Sequence, residues 1–264
     1  MTSKTGDSVE MQAVERVNED GAGPVVILCE HASNRFPDAF GTLGLSAEDR
    51  ESHAAWDPGA RAVALGLSRA LDAPLIASTV SRLIYDCNRP PTAPSAMPAQ
   101  SEKISIPGNS DLTGPDRQRR IDAVYTPFCD AAGEVIARRK ARQLPAALVT
   151  VHSFTPVFHD APRAVEIGIL HDADTRLADA MLNCATQLPH RRIERNAPYG
   201  PEDGVTHSLK LHGIGHDMPN VMIEIRNDLL RTRAEEEAMT QDILALLRPA
   251  LARLNLVTPG GTHA

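Results

Sequence analysis

Aromatic residues are scarce in this chain: one Trp, three Tyr and five Phe among 264 residues. The core must rest on Ala, Leu, Val and Ile, and no platform for stacking bases or sugars is evident. A Lys/Arg-rich block of the kind that marks nucleic-acid or anionic-membrane binding is also missing. The net charge is −7 with both signs interspersed, which argues against a nucleic-acid or anionic-membrane binder but leaves room for a small anionic substrate in a locally basic pocket. No run approaches the ~20 consecutive apolar residues of a membrane span. The N-terminus, Met1-Thr2-Ser3-Lys4-Thr5-Gly6-Asp7, lacks the apolar centre of a signal peptide. Cys29, Cys87, Cys129 and Cys184 are too scattered for a zinc finger or a disulfide framework, so a reducing cytoplasm is the expected compartment. Neither Gly-x-Gly-x-x-Gly nor a phosphate loop occurs, and Ser153 has no Gly-x-Ser-x-Gly elbow around it.

What the chain does have is a series of short apolar runs: Val25–Cys29, Pro74–Val80, Arg82–Tyr85, Ala147–Val151, Val165–Leu170 and Val221–Ile225. Their length predicts buried strands. Helical periodicity lies between them, over Asp57–Leu71 (apolar face Ala62, Leu65, Leu67, Leu71, with Pro58 at the first helical position), Pro115–Arg142 with a break near Pro127, Asp174–Gln187 and Leu229–Leu251. Strands alternating with helices predict an α/β layered sheet covered on both faces. Residues 24–256 are expected to form one domain, after a polar lead-in over 1–23 and before a frayed tail over 257–264. The proline-rich stretch from Pro90 to Asn109 is expected to wall an active site, because a loop of that length in a compact domain is usually functional or disordered.

Polar residues at the ends of the apolar runs carry the chemistry. His31 follows the first run and His152 follows the fourth, both where open α/β sheets place their ligands. Two imidazoles and a carboxylate make a hydrolytic zinc site with one position left for water. Asp57 is the expected third ligand, although an Asp before Pro at a helix start also reads as an N-cap, and Glu30 is the alternative. Glu224, between Ile223 and Ile225, is a carboxylate in a core strand; it is either a general base with a raised pKa or the partner of Arg226 or Arg82. Ser81-Arg82-Leu83-Ile84-Tyr85-Asp86-Cys87-Asn88-Arg89 delivers two arginines, an aspartate and an asparagine to one loop, with structural and catalytic roles open for Arg82 and Asp86. Ser153, His207, His212 and Asn227 are further polar residues near these ends; the other histidines read as surface or structural.

Taken together, Cys29-Glu30-His31-Ala32-Ser33-Asn34, Trp56-Asp57-Pro58-Gly59-Ala60, the Ser81–Arg89 segment, Val151-His152-Ser153-Phe154 and Ile223-Glu224-Ile225-Arg226-Asn227-Asp228 resemble the N-formylglutamate amidohydrolase family. The resemblance runs in order from about Val25 to about Leu230, with Asp86-x-Asn88-Arg89 its most specific part. It implies a three-layer α/β sandwich like that of the zinc carboxypeptidases and the aspartoacylase group, with a mixed, mostly parallel sheet. It also implies one zinc ion on His31, His152 and Asp57, with Glu224 as general base and Arg82 or Arg89 stabilising the oxyanion. Asn88 and Arg89 would grip a substrate carboxylate, with Asp86, Ser153, His207 and Asn227 completing the substrate site. Two departures stand out. The residue three after His31 is Asn34 rather than the Glu of the carboxypeptidases, and Glu-His-Ala-Ser replaces the family's Pro-His-x-Gly.

The implied activity is zinc-dependent hydrolysis of the N-formyl or N-acyl amide of a small acidic amino acid such as N-formylglutamate. A carboxypeptidase-like or cell-wall peptide amidase, and a metal-free binding protein on the same fold, are the alternatives. The expected partner is a small anionic N-acyl amino acid or short peptide, with no nucleic acid or membrane.

Overall fold

Val25–Cys29 (β2), Leu75–Ser78 (β3) and Ala147–Phe154 (β4) bury every residue, and Asn220–Arg226 (β7) all but its last. Strands of this kind need cover on both faces, which parallel sheets with crossover helices provide. In the computed structural model, which describes residues 12–256, these four lie side by side and parallel at the centre of a seven-stranded sheet. Val14–Val17 (β1), Ile167–Leu170 (β5) and Ile193–Arg195 (β6) complete it in the order β1-β3-β2-β4-β7-β5-β6. β1 runs antiparallel to β3, and the β5–β6 pair runs antiparallel to β7.

Helices Ala60–Leu71 (α1), Arg176–Leu182 (α3) and Arg233–Arg253 (α4) pack on one face through Val63, Leu67, Leu177, Ile243 and Leu247 against Val25, Val149 and Ile223. The opposite face, with Val26, Leu28, Leu148 and Met222, is covered by Thr126–Ala141 (α2) and by the segment holding Leu83, Ile84 and Tyr85. This is the expected three-layer α/β sandwich with a mixed, mostly parallel sheet. From β2 the chain crosses to β3 on one side and later returns to β4 on the other. The crevice beyond the carboxyl ends of β2 and β4 is therefore the topological switch point, where such sheets bind ligands. No helix among the described residues is long and apolar enough to cross a membrane.

Several local expectations differ. Arg82–Tyr85 is a turn rather than a strand: Leu83, Ile84 and Tyr85 are buried by packing on the sheet face, not by pairing within it. β1 lies inside the stretch read as a polar lead-in, where Glu15 and Arg16 mask an edge strand. The rest of that lead-in before residue 12, and the tail 257–264, lie outside the described residues. α1 starts at Ala60, so Pro58 precedes the helix, and its most buried apolar residues are Ala60, Val63, Ala64 and Leu67 rather than Ala62 and Leu65. The break expected near Pro127 is a π-helical turn just before it, and the proline itself does not end the helix. Gly114–Arg120 passes through a π-helical turn, Ile121–Tyr125, into the first turn of α2, where a missing N–H is tolerated. α4 begins later than Leu229 because Thr232 and Glu235 form a capping box. The Pro90–Asn109 stretch, expected to wall the site, carries a small hairpin (Gln100–Ser101 with Ile104–Ser105) that reaches the cavity described next.

Candidate metal centre

Three of the four central strands each deliver one polar group to the switch point. His31 leaves the end of β2, and His152 lies near the end of β4 in register with Glu224 on β7. Asp57 arrives from the loop before α1, where its backbone N–H donates to the His31 carbonyl at 3.0 Å. The chain then turns at Gly59, whose φ of 80° and close approach to Leu230 (2.4 Å from a Cβ built there to the Leu230 Cβ) leave room only for glycine. Asp57 makes no cap on α1, because Gly59 holds that position. Instead its Oδ2 lies 3.2 Å from His31 Nδ1 and 2.9 Å from His152 Nδ1, and the two Nδ1 atoms are 3.1 Å apart. All three residues are buried.

The donor set fits a zinc ion. Ligand atoms of a tetrahedral site with bonds of about 2.0–2.1 Å are separated by roughly 3.3 Å, close to the triangle seen here. The outer imidazole nitrogens face carboxylates, as metal-binding histidines do. His31 Nε2 hydrogen-bonds Asp86 Oδ1 at 2.7 Å, and His152 Nε2 is 3.1 Å from Glu30 Oε2, although poorly aligned for a hydrogen bond. Hydrogen on each Nε2 would leave both Nδ1 lone pairs directed inward.

Charge makes the same argument. Burial would raise the pKa of Asp57, Asp86 and Glu30, but it is overcome in each case: by His31 and His152 at Asp57, by His31 and Arg82 at Asp86, and chiefly by His152 at Glu30. Burial likewise lowers the His152 pKa, yet Glu30 and Asp57 raise it well above the usual imidazole range. With both imidazoles neutral, as zinc ligands must be, the three buried carboxylates outnumber the nearby guanidiniums of Arg82 and Arg89 and leave net negative charge that a divalent cation would balance. Glu30, the alternative third ligand, sits behind His152, away from the Nδ1–Nδ1–Oδ2 triangle.

A cavity of about 210 Å³ opens beside this cluster. Glu224 reaches it from β7, with one carboxylate oxygen buried and unpartnered; burial pushes its pKa up to about 7 despite the opposing charge of His152. The alternative reading of Glu224 as an ion-pair partner does not hold: Arg226 pairs with Asp228, and Arg82 with Asp57 and Asp86. Arg82 lines the cavity between those two carboxylates, at 3.4 and 2.7 Å. Arg89 lines it without an acidic partner among the described residues, its Nη1 donating to the Asn88 carbonyl.

The other expected substrate groups are placed differently. Asn88 borders the cavity, but its amide donates to the Val205 carbonyl and its oxygen accepts from the Ser208 N–H, so it fixes the neighbouring loop. Ser153 also lines the cavity, but its hydroxyl donates to the Pro58 carbonyl and its N–H to Asp57, holding the Asp57 turn in place. Asp86 stands behind His31, outside the cavity. His207 pairs with the Tyr125 hydroxyl, and neither it nor Asn227 lines the cavity. His53, read as surface or structural, does line it, together with Glu102, Phe158 and Tyr199. Tyr199 arrives because residue 197 crosses directly over Gly168, where a Cβ would lie 1.9 Å from the Ala197 oxygen. The pairing of His53 with Glu102, distant in sequence, left no signal in the chain; the length of the Pro90–Asn109 loop was the one clue to Glu102.

The N-formylglutamate amidohydrolase family profile matches residues 23–231. The chain belongs to that family. Its fold superposes on the crystal structure of a gene product from Agrobacterium tumefaciens, 52% identical, with a TM-score of 0.91 over 93% of this chain and 97% of that one. It also matches the crystal structure of N-formylglutamate amidohydrolase from Ralstonia eutropha JMP134, 22% identical, with a TM-score of 0.68 over 94% of this chain and 99% of that one. Among curated proteins none matches the sequence. Family membership makes this chain an amidohydrolase, a hydrolase of amide bonds.

Proposed function

We propose that this family member is a zinc-dependent amidohydrolase that cleaves the N-formyl or N-acyl amide of a small acidic amino acid such as N-formylglutamate. The observation that carries the reading is the buried triangle of His31 Nδ1, His152 Nδ1 and Asp57 Oδ2 beside Glu224, whose buried Oε2 has no partner among the described residues. A zinc ion held there would polarise the amide carbonyl and lower the pKa of water. Glu224 takes the proton from the attacking water and passes it to the leaving nitrogen, so the C–N bond breaks as the acid and the free amine form. Arg82, held between Asp57 and Asp86, presents fixed positive charge where the oxyanion develops. Arg89, without an acidic partner among the described residues, receives a substrate carboxylate through its planar fork.

Asp86 and Glu30 orient the two histidines, and Ser153 and Asn88 hold the surrounding turns. The folded unit from β1 to α4 acts as one catalytic domain. Four free cysteines, three of them buried, favour a reducing compartment, the cytoplasm. The test is a panel of N-formyl and N-acetyl amino acids and short peptides given to zinc-loaded protein. Turnover of N-formyl acidic amino acids supports the reading; turnover of peptides alone replaces it with a peptide amidase.

A further inference from the structure

Two small hairpins stand at the rim of the cavity. The first, Gln100–Ser101 with Ile104–Ser105, turns through Glu102 and Lys103; the second, Val157–Phe158 with Ala161–Pro162, turns through His159 and Asp160. Ser101 and Glu102 from the first and Phe158 from the second line the cavity, so both hairpins belong to its wall. Their tips are joined. Lys103 Nζ lies 2.9 Å from both Asp160 carboxylate oxygens, and the His159 N–H donates to Glu102 Oε1 at 3.3 Å. The other Glu102 oxygen pairs with His53 Nε2 at 2.9 Å, so one carboxylate ties three segments of the rim together.

The joined residues are also where the backbone is unusual. Glu102, His159 and Asp160 have φ of 51°, 47° and 64°, the left-handed region that favours glycine. Side chains kept at such positions, when glycine would turn the chain more easily, point to a use for the side chains. The base of the second hairpin is fixed differently. Arg163 stacks on Phe158 (4.4 Å), Tyr199 (4.8 Å) and Phe154 (5.6 Å) and donates to the Tyr199 hydroxyl. A hairpin anchored at its base and held at its tip by exposed polar contacts is built to release at the tip first.

We propose that the two hairpins form a latched cover, closed by Lys103–Asp160 and Glu102–His159, that limits the substrate to a single acylated amino acid and excludes longer peptides. The proposal rests on the hydrolytic reading for its substrate class, but the latch itself also controls access of any small molecule to the cluster. Lys103 and Asp160 are 65% and 85% exposed in their side chains, so removing their charges leaves the fold intact.

Zinc-loaded parent, Lys103→Ala, Asp160→Asn and the conservative Lys103→Arg would be compared in two assays. One is the ratio of kcat/KM for an N-formyl dipeptide to that for the N-formyl amino acid. The other is the rate at which dipicolinate strips zinc. An exposed ion pair shifts an open–closed balance by about two- to fivefold. Lys103→Ala and Asp160→Asn should raise both quantities by that factor, and Lys103→Arg should keep the parent values. Unchanged ratio and stripping rate in Lys103→Ala and Asp160→Asn, with a parent that does cleave N-formyl amino acids, would overturn the latch and leave the hydrolytic reading standing. Faster stripping in those two variants, with a parent that cleaves no N-acyl substrate, would keep the latch and overturn that reading. No change in stripping rate with no activity would overturn both.

Discussion

Glu224→Gln separates the cost of a buried base from its use. In the folded protein burial raises the Glu224 pKa to about 7, against about 4.3 in an unfolded chain. Below both values the carboxyl is neutral in either state. As pH rises through the unfolded value, the unfolded chain ionises and the folded one does not, so stability falls until the folded pKa is passed. Above pH 8 the loss reaches on the order of 3 kcal/mol at 1.36 kcal/mol per unit. Glutamine keeps the shape and never ionises. The metal-free variant should therefore be more stable than the metal-free parent at pH 8, by up to that amount, and close to it at pH 4. Urea unfolding at the two pH values measures this. Turnover should move the other way: loss of a general base lowers kcat by roughly 10²–10⁴-fold, with KM and bound zinc little changed. Near-normal turnover would remove Glu224 as the base. A variant less stable than the parent at pH 8 would refute the burial argument.

Arg89→Lys should raise KM several-fold for substrates with a free carboxylate, because an ammonium cannot reproduce the planar fork; substrates amidated at that position should barely distinguish the two proteins, and an unchanged KM would sink the assignment. His212 is buried and its pKa is lowered to about 4, chiefly by desolvation. Its imidazole protonates in the unfolded chain near pH 6.5 but resists protonation when folded, so stability is lost as pH falls from 6.5 towards 4, by about 2 kcal/mol at pH 5. The difference in unfolding free energy between pH 7.5 and pH 5 should shrink by about that amount in His212→Asn, and an equal difference would contradict it.

The central strands were legible because a fully buried parallel strand leaves a nearly unbroken apolar run, as in Val25–Cys29 and Val221–Ile225. Glu224 stood out as a polar group within such a run, His152 as one directly after a run and His31 as one two residues past a run. β1 and β6 escaped because edge strands carry charge, as at Glu15, Arg16 and Glu194. Arg82–Tyr85 misled for the opposite reason: apolar residues can be buried in a turn that lies on a sheet. Which way a loop side chain faces was not legible either. Asp86 and Asn88 look like substrate groups in the sequence, yet tertiary contacts turn one behind His31 and commit the other to the loop of Val205 and Ser208. Glu102, His53 and Tyr199 reach the cavity from three separate loops, and no local pattern joins them.

The central claim is that His31, His152 and Asp57 hold one zinc ion, and elemental analysis of gently purified protein tests it most directly. The parent should carry one zinc per chain, while His31→Ala and Asp57→Asn should lose most of it and keep their far-UV circular dichroism. A full equivalent of zinc in both variants would contradict the account.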